Sequence, residues 1–291
     1  MKQRIITGVV GIAVTLLVLT QYYKPIYDRV VLLLFLVSLY EIWKTFSEKN
    51  NIIIFIVMGM AGAYFMLDEW IPRVHPLIMA TLVFFTYSMV TVFFFEKIDF
   101  KTISASMLFS MYSMFGFYSL TAMKDFLPRE RFGYDGLFVL VMCCVIAWGA
   151  DVSAYFSGYF FGKHKMAPVL SPKKTVEGAV GGVVLTTIAS VIVMAVYAKY
   201  KHVLEGAGRR FELKSEMLVA VAIAAVAAVL LEMVGDLFRS AVKRQAGIKD
   251  YGDIFPGHGG VLDRFDSMIM ISPFFLLLSM LIAKAGGMFV V

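Results

Sequence analysis

Cysteine is nearly absent: two of the 291 residues, Cys143 and Cys144, and they are adjacent within an apolar run. Neighbours in sequence do not meet disulfide geometry, so a disulfide framework is excluded and both residues read as packing residues. Charge is also scarce. Asp, Glu, Lys and Arg make up 16% of the chain against 60% hydrophobic residues, and the mean hydropathy is +0.79. An ordinary soluble globular protein is excluded by these values. The formal net charge of +6 has no basic, aromatic-interleaved soluble segment behind it, so it does not indicate nucleic acid. In so apolar a chain, loop cations set topology and meet lipid headgroups. Long repeats, low-complexity tracts and Pro/Ser linkers are missing as well. One membrane domain over 1–291 is therefore the economical reading, with N-terminal helices in 1–130 and the helices and distinctive polar loops in 131–291.

What the chain does contain is membrane-length apolar runs. They fall near 5–20, 30–46, 52–67, 77–95, 103–121, 137–160, 178–198, 217–237 and 267–285, and about 20 apolar residues cross a bilayer. The fold class expected is all-α: a polytopic integral membrane protein with about nine transmembrane helices. The first run follows Met1-Lys2-Gln3-Arg4 and continues into Gln21-Tyr22-Tyr23-Lys24-Pro25 without a small-residue cleavage pattern, so it reads as a retained span. With a cytoplasmic amino terminus and alternating spans, the C-terminus lies outside. The cation bias is mild, because Lys199, Lys201, Arg209, Arg210 and Lys214 then lie outside too. The two most distinctive polar loops, Gly162–Glu177 and Arg239–Asp266, fall together on the cytoplasmic face. The expectation is a multi-pass protein of the cytoplasmic membrane whose site faces the cytoplasm from the C-terminal half.

The stretch Ser240–Asp266 carries Lys243, Arg244, Lys249, His258 and Arg264, the acids Asp250, Asp253, Asp263 and Asp266, and Gly247, Gly252, Gly257, Gly259 and Gly260. Such a mixture suits phosphate and divalent metal. Upstream, Ser171-Pro172-Lys173-Lys174-Thr175-Val176-Glu177 reads as a helix start, with Ser171 as N-cap, Pro172 initiating and Glu177 in the first turns. Free amides there, with Lys173 and Lys174, would favour a phosphate. The lysines equally suit ordinary loop anchors. Gly178, Gly181 and Gly182 let the following helix approach a neighbour closely.

Ionisable residues inside spans are costly and face protein or water. They include Asp151, Glu232 and Asp236, with Glu177 at a span entrance. Glu232 and Asp236 share a helix face that Ser240 and Lys243 continue, and Asp263 and Asp266 share another, with Arg264 turned elsewhere. Hard oxygen donors in this number suit Mg²⁺, which takes one or two carboxylates plus waters and phosphates.

These residues resemble the signature of the phosphatidate cytidylyltransferase (CDP-diacylglycerol synthase) family: Ser240-Ala241-Val242-Lys243-Arg244, then Lys249-Asp250, then Pro256-Gly257-His258-Gly259-Gly260-Val261-Leu262-Asp263-Arg264-Phe265-Asp266. Gly235-Asp236-Leu237-Phe238, Ser171 to Thr175 with Glu177-Gly178-Ala179, and Trp148-Gly149-Ala150-Asp151 are similar to that family too; Val152-Ser153 departs from its pattern. The resemblance covers roughly 148–267. It implies transfer of the cytidylyl group of CTP to phosphatidic acid, giving CDP-diacylglycerol and pyrophosphate with Mg²⁺. Asp236, Asp263 and Asp266 would hold the metal, with Asp151 a further candidate, and Lys243 and Arg244 would join them in catalysis. Ser171, Lys173, Lys174, Glu177, Ser240, Lys249, Asp250, Gly257, His258, Gly259, Gly260 and Arg264 would line the substrates. A monovalent cation and a homodimer are compatible with such a family. Among rivals, an ion-coupled transporter shares the intramembrane acids, but no inverted repeat is present. A phosphotransferase of the CDP-alcohol type would carry aspartate motifs that this chain lacks.

Overall fold

The computed structural model describes residues 2–46, 52–67, 76–205, 213–255 and 259–287. Its helices are α1 Lys2–Leu19, α2 Pro25–Phe46, α3 Ile52–Met66, α4 Pro76–Phe93, α5 Phe100–Phe126, α6 Arg129–Phe132, α7 Asp135–Phe161, α8 Val176–Leu204, α9 Ser215–Gln245 and α10 Val261–Ala285, with strands β1 Lys165–Ala167 and β2 Ser171–Thr175 between α7 and α8. Each apolar run of the sequence lies on one of these helices. Four of them, α7, α8, α9 and α10, are long and apolar enough to cross a membrane, and shorter apolar helices cover Gly8–Leu19, Ile52–Met66 and Leu77–Phe93. Many large apolar side chains face outward, among them Leu17, Phe84, Leu108, Val180 and Ile223, as lipid-facing helices require. The protein is a helical membrane protein with, among the described residues, one added hairpin.

The chain divides into two compact units, Met1–Thr121 with Gln245–Phe265, and Ala122–Arg244 with Asp266–Val291. In the first, Phe35, Ile42, Ile54, Met58, Ile103 and Phe117 are buried. Gly62 lets the Phe35 ring lie against α3, since a Cβ there would sit 2.2 Å from it. Ser38 and Ser113 share a buried hydroxyl hydrogen bond of 2.9 Å. The loop after α9 is anchored by the Phe109–Tyr251 ring contact at 5.4 Å.

The second unit is built on the α7–α8 hairpin. Small residues allow close approach: a Cβ on Gly181 would fall 2.0 Å from Ser157 Oγ, and one on Gly178 would fall 2.8 Å from the Ala154 carbonyl oxygen. This is the close packing that the glycine spacing predicted. At the far end of the hairpin, Asp135 Oδ1 accepts from Lys201 Nζ at 2.5 Å and from the Tyr197 hydroxyl at 2.8 Å. Cys143 and Cys144 are buried free thiols in α7, as packing residues should be.

One local expectation is corrected. Ser171 is not a helix N-cap and Pro172 starts no helix, because β1 and β2 pair antiparallel, with Lys165 opposite Thr175 and Ala167 opposite Ser171. Strand pairing claims that backbone, so α8 begins at Val176 and Thr175 becomes the cap, its Oγ1 accepting from Gly178 N at 3.1 Å.

Candidate active site

Unit two gathers an ionic cluster from four elements. Lys174 on β2 pairs with Asp236 on α9. One helical turn on, Arg239 places Nη2 3.8 Å from Asp236 Oδ1 and Nε 3.1 Å from Asp266 Oδ2. Its guanidinium also donates to Ser267 Oγ at 3.4 Å. The Ser267 hydroxyl donates to Glu232 Oε1 at 2.9 Å, and the Ser267 amide donates to Asp266 Oδ1 at 2.7 Å. Glu232, Arg239 and Ser267 are buried. Asp151 on α7 is exposed and lies within electrostatic range of Asp236, Asp266, Lys174 and Arg239. The shared face expected for Glu232, Asp236, Ser240 and Lys243 exists, since α9 carries all four.

Acids and cations alternate here, and among the described residues no three His, Cys, Asp or Glu side chains converge as a ready-made metal cage. That pattern fits Mg²⁺, which needs only one or two protein carboxylates when waters and phosphates complete its shell. Asp236 and Asp266 are the carboxylates of the cluster that could contribute to such a shell. Among the described residues Nε and Nη1 of the buried Arg239 make no hydrogen bond, and Nε meets Asp266 as an ion pair.

The loop and the start of α10 belong to unit one. Asp263 Oδ2 accepts from Tyr251 N at 2.8 Å and Gly260 N at 3.1 Å, tying the loop to the first turn of the helix. The first free amides of α10 are met from far away in sequence. Glu41 on α2 accepts from Val261 N at 2.9 Å and Leu262 N at 2.8 Å, one carboxylate oxygen each. Gly252 and Gly260 make room for it, because a Cβ on either would fall 2.5 or 2.3 Å from Glu41 Oε1. Gly259 is at φ +85°, a left-handed turn suited to glycine, and its carbonyl accepts from Phe255 N at 3.0 Å. Lys249, Asp250 and Arg264 are exposed. Gly257 and His258 lie outside the described residues.

Glu177 organises its own loop, accepting from Lys163 N at 3.0 Å, His164 N at 3.2 Å and His164 Nδ1 at 2.6 Å. Lys173 and Arg244 are exposed, while Ser171, Ser240 and Lys243 are half-buried. Arg239, Ser267 and Glu41 are the residues that the sequence reading passed over. Arg239 and Glu41 carried a usable signal, each being a charge inside a membrane-length helix. Ser267 carried none.

The family model described as the cytidylyltransferase family matches residues 2–282. A phosphatidate cytidylyltransferase of Bacillus subtilis is 28% identical over 287 residues, covering 94% of this chain and 96% of that protein. Namesakes from Pseudomonas aeruginosa and Haemophilus influenzae are 42% and 39% identical over 141 and 142 residues, which is 48% and 49% of this chain and 46% of each relative. In those two, the match spans about half of the relative's length. Matched by its model over nearly all of its residues, the chain belongs to the cytidylyltransferase family.

Proposed function

We propose that this chain transfers the cytidylyl group of CTP to phosphatidic acid, releasing pyrophosphate and leaving CDP-diacylglycerol in the bilayer. The observation that carries this reading is the cluster of Asp236, Asp266, Lys174 and Arg239 on apolar helices of a cytidylyltransferase-family chain. A phosphate monoester has a second pKa near 6. Phosphatidic acid at neutral pH is therefore largely dianionic and attacks without a dedicated general base. A lipid phosphate oxygen bonds to the α-phosphorus of CTP as the bond from that phosphorus to the bridging oxygen breaks, and pyrophosphate leaves with that electron pair. The protein's task is positioning and charge neutralisation.

Asp236 and Asp266 would hold Mg²⁺, with Asp263 one helical turn before Asp266 and Asp151 as further carboxylates; bound there, the ion supplies charge for the triphosphate oxygens. Lys174 is kept in place by Asp236 until a phosphate competes for it. Lys173, Lys243, Arg244, Lys249 and Arg264 supply further cations for phosphate oxygens. His258 and its glycines would meet the nucleotide phosphates. The nine apolar helices cross the bilayer and the site opens to the cytoplasm, because CTP is a cytosolic polyanion while the other substrate keeps its acyl chains in the leaflet. The three relatives named above all bear the name of a phosphatidate cytidylyltransferase rather than of a carrier.

The test is CTP-dependent formation of CDP-diacylglycerol by the detergent-purified protein, with and without Mg²⁺, beside Asp263→Asn. Asparagine keeps a carbonyl oxygen for the amides of Tyr251 and Gly260, so the variant should fold and lose turnover. Near-normal turnover in the variant would remove Asp263 from the metal site. Absence of product from folded wild-type protein would overturn the reaction.

A further inference from the structure

We infer that Arg239 is a built-in cation of the carboxylate cluster, a positioning residue that sets Asp236 and Asp266 so that the site takes one divalent ion and no second metal. This rests on the reading above that these aspartates serve Mg²⁺.

Arg239 heads the largest fully buried side chains, at 1% exposure. Arginine stays protonated in proteins, so a buried one must find negative charge. It finds two: Nε lies 3.1 Å from Asp266 and Nη2 lies 3.8 Å from Asp236. The guanidinium thus bridges the two carboxylates that α9 and α10 bring together. A cation that bridges two acids would otherwise be a metal.

Lys174 adds a further protein cation at Asp236, so the gap between the two aspartates already holds positive charge and a second metal ion there would meet repulsion.

The experiment uses the purified full chain. Mn²⁺ titration followed by electron paramagnetic resonance counts divalent ions bound, and turnover is compared in KCl and choline chloride of equal ionic strength, for wild type, Arg239→Lys and Arg239→Gln. Wild type should bind a single Mn²⁺ and turn over alike in the two salts. Arg239→Gln should become dependent on a monovalent ion, losing about tenfold in choline relative to KCl, the scale of one charge-assisted contact, or should bind a second Mn²⁺. Arg239→Lys, which keeps the charge, should behave as wild type. Two Mn²⁺ ions on wild type, or a strong K⁺ requirement of wild type, would overturn the inference, as would an Arg239→Gln protein that gains neither. Should Arg239→Gln fail to fold, the wild-type count and salt comparison still decide. No Mn²⁺ bound by active wild type would overturn the metal reading itself along with this one.

Discussion

Glu41 sits on α2, some 220 residues from the loop it holds, and its removal should cost both stability and activity. Its two carboxylate oxygens take the amides of Val261 and Leu262, and Glu41 is 1% exposed. In Glu41→Ala these two buried donors lose their acceptors at about 1–3 kcal/mol each. The negative charge at the start of α10 is lost too, worth about 0.3–2 kcal/mol. The expected destabilisation is therefore about 2–8 kcal/mol. Glu41→Gln offers one carbonyl oxygen for two amides, so roughly half the loss should remain. Unfolding of the detergent-solubilised protein gives the stability change, and hydrogen exchange at Val261 and Leu262 shows whether it is local. Turnover should fall as well, because the first turns of α10 carry Asp263 and Asp266. A Glu41→Ala protein within about 0.5 kcal/mol of wild type, the range of ordinary surface changes, would refute the capping role. Unchanged exchange at the two amides would do the same.

Lys174→Ala should raise the KM for CTP or phosphatidic acid by about tenfold or more through loss of a charge-assisted phosphate contact; unchanged KM values for both would remove Lys174 from substrate binding. Gly181→Val should destabilise by about 1–3 kcal/mol through overpacking, since its Cβ would fall 2.0 Å from Ser157 Oγ, and Ser157→Gly in the same chain should recover most of the loss in thermal unfolding. Lys201→Met should cost about 3–5 kcal/mol by leaving Asp135 buried beside Tyr197 without its cation, while Lys201→Met with Asp135→Leu should lie much nearer wild type. Equal losses in the single and double variants would show that the pair's charge is not the issue.

The helical membrane architecture was legible in the sequence because a bilayer imposes a length and a polarity on each span, and both are local properties. The faces of α9 and α10 were legible for a similar reason: helical period alone puts Glu232 with Asp236, and Asp263 with Asp266. The close contact of α7 and α8 followed from glycine at 178, 181 and 182. The hairpin of Lys165–Thr175 was not legible, since Ser-Pro-Lys-Lys-Thr satisfies a helix start as well as a strand, and only pairing with β1 decided between them. The contacts made by Ser267 and by Glu41 were hidden for a deeper reason. Ser267 looks like any small residue of an apolar span, yet it joins Glu232, Asp266 and Arg239. Glu41 looks like a stray charge until the amides of Val261 and Leu262 are brought to it. Sequence settles what each helix can bury and which side chains share its face; which charge meets which depends on contacts between distant segments, and only the tertiary structure supplies them.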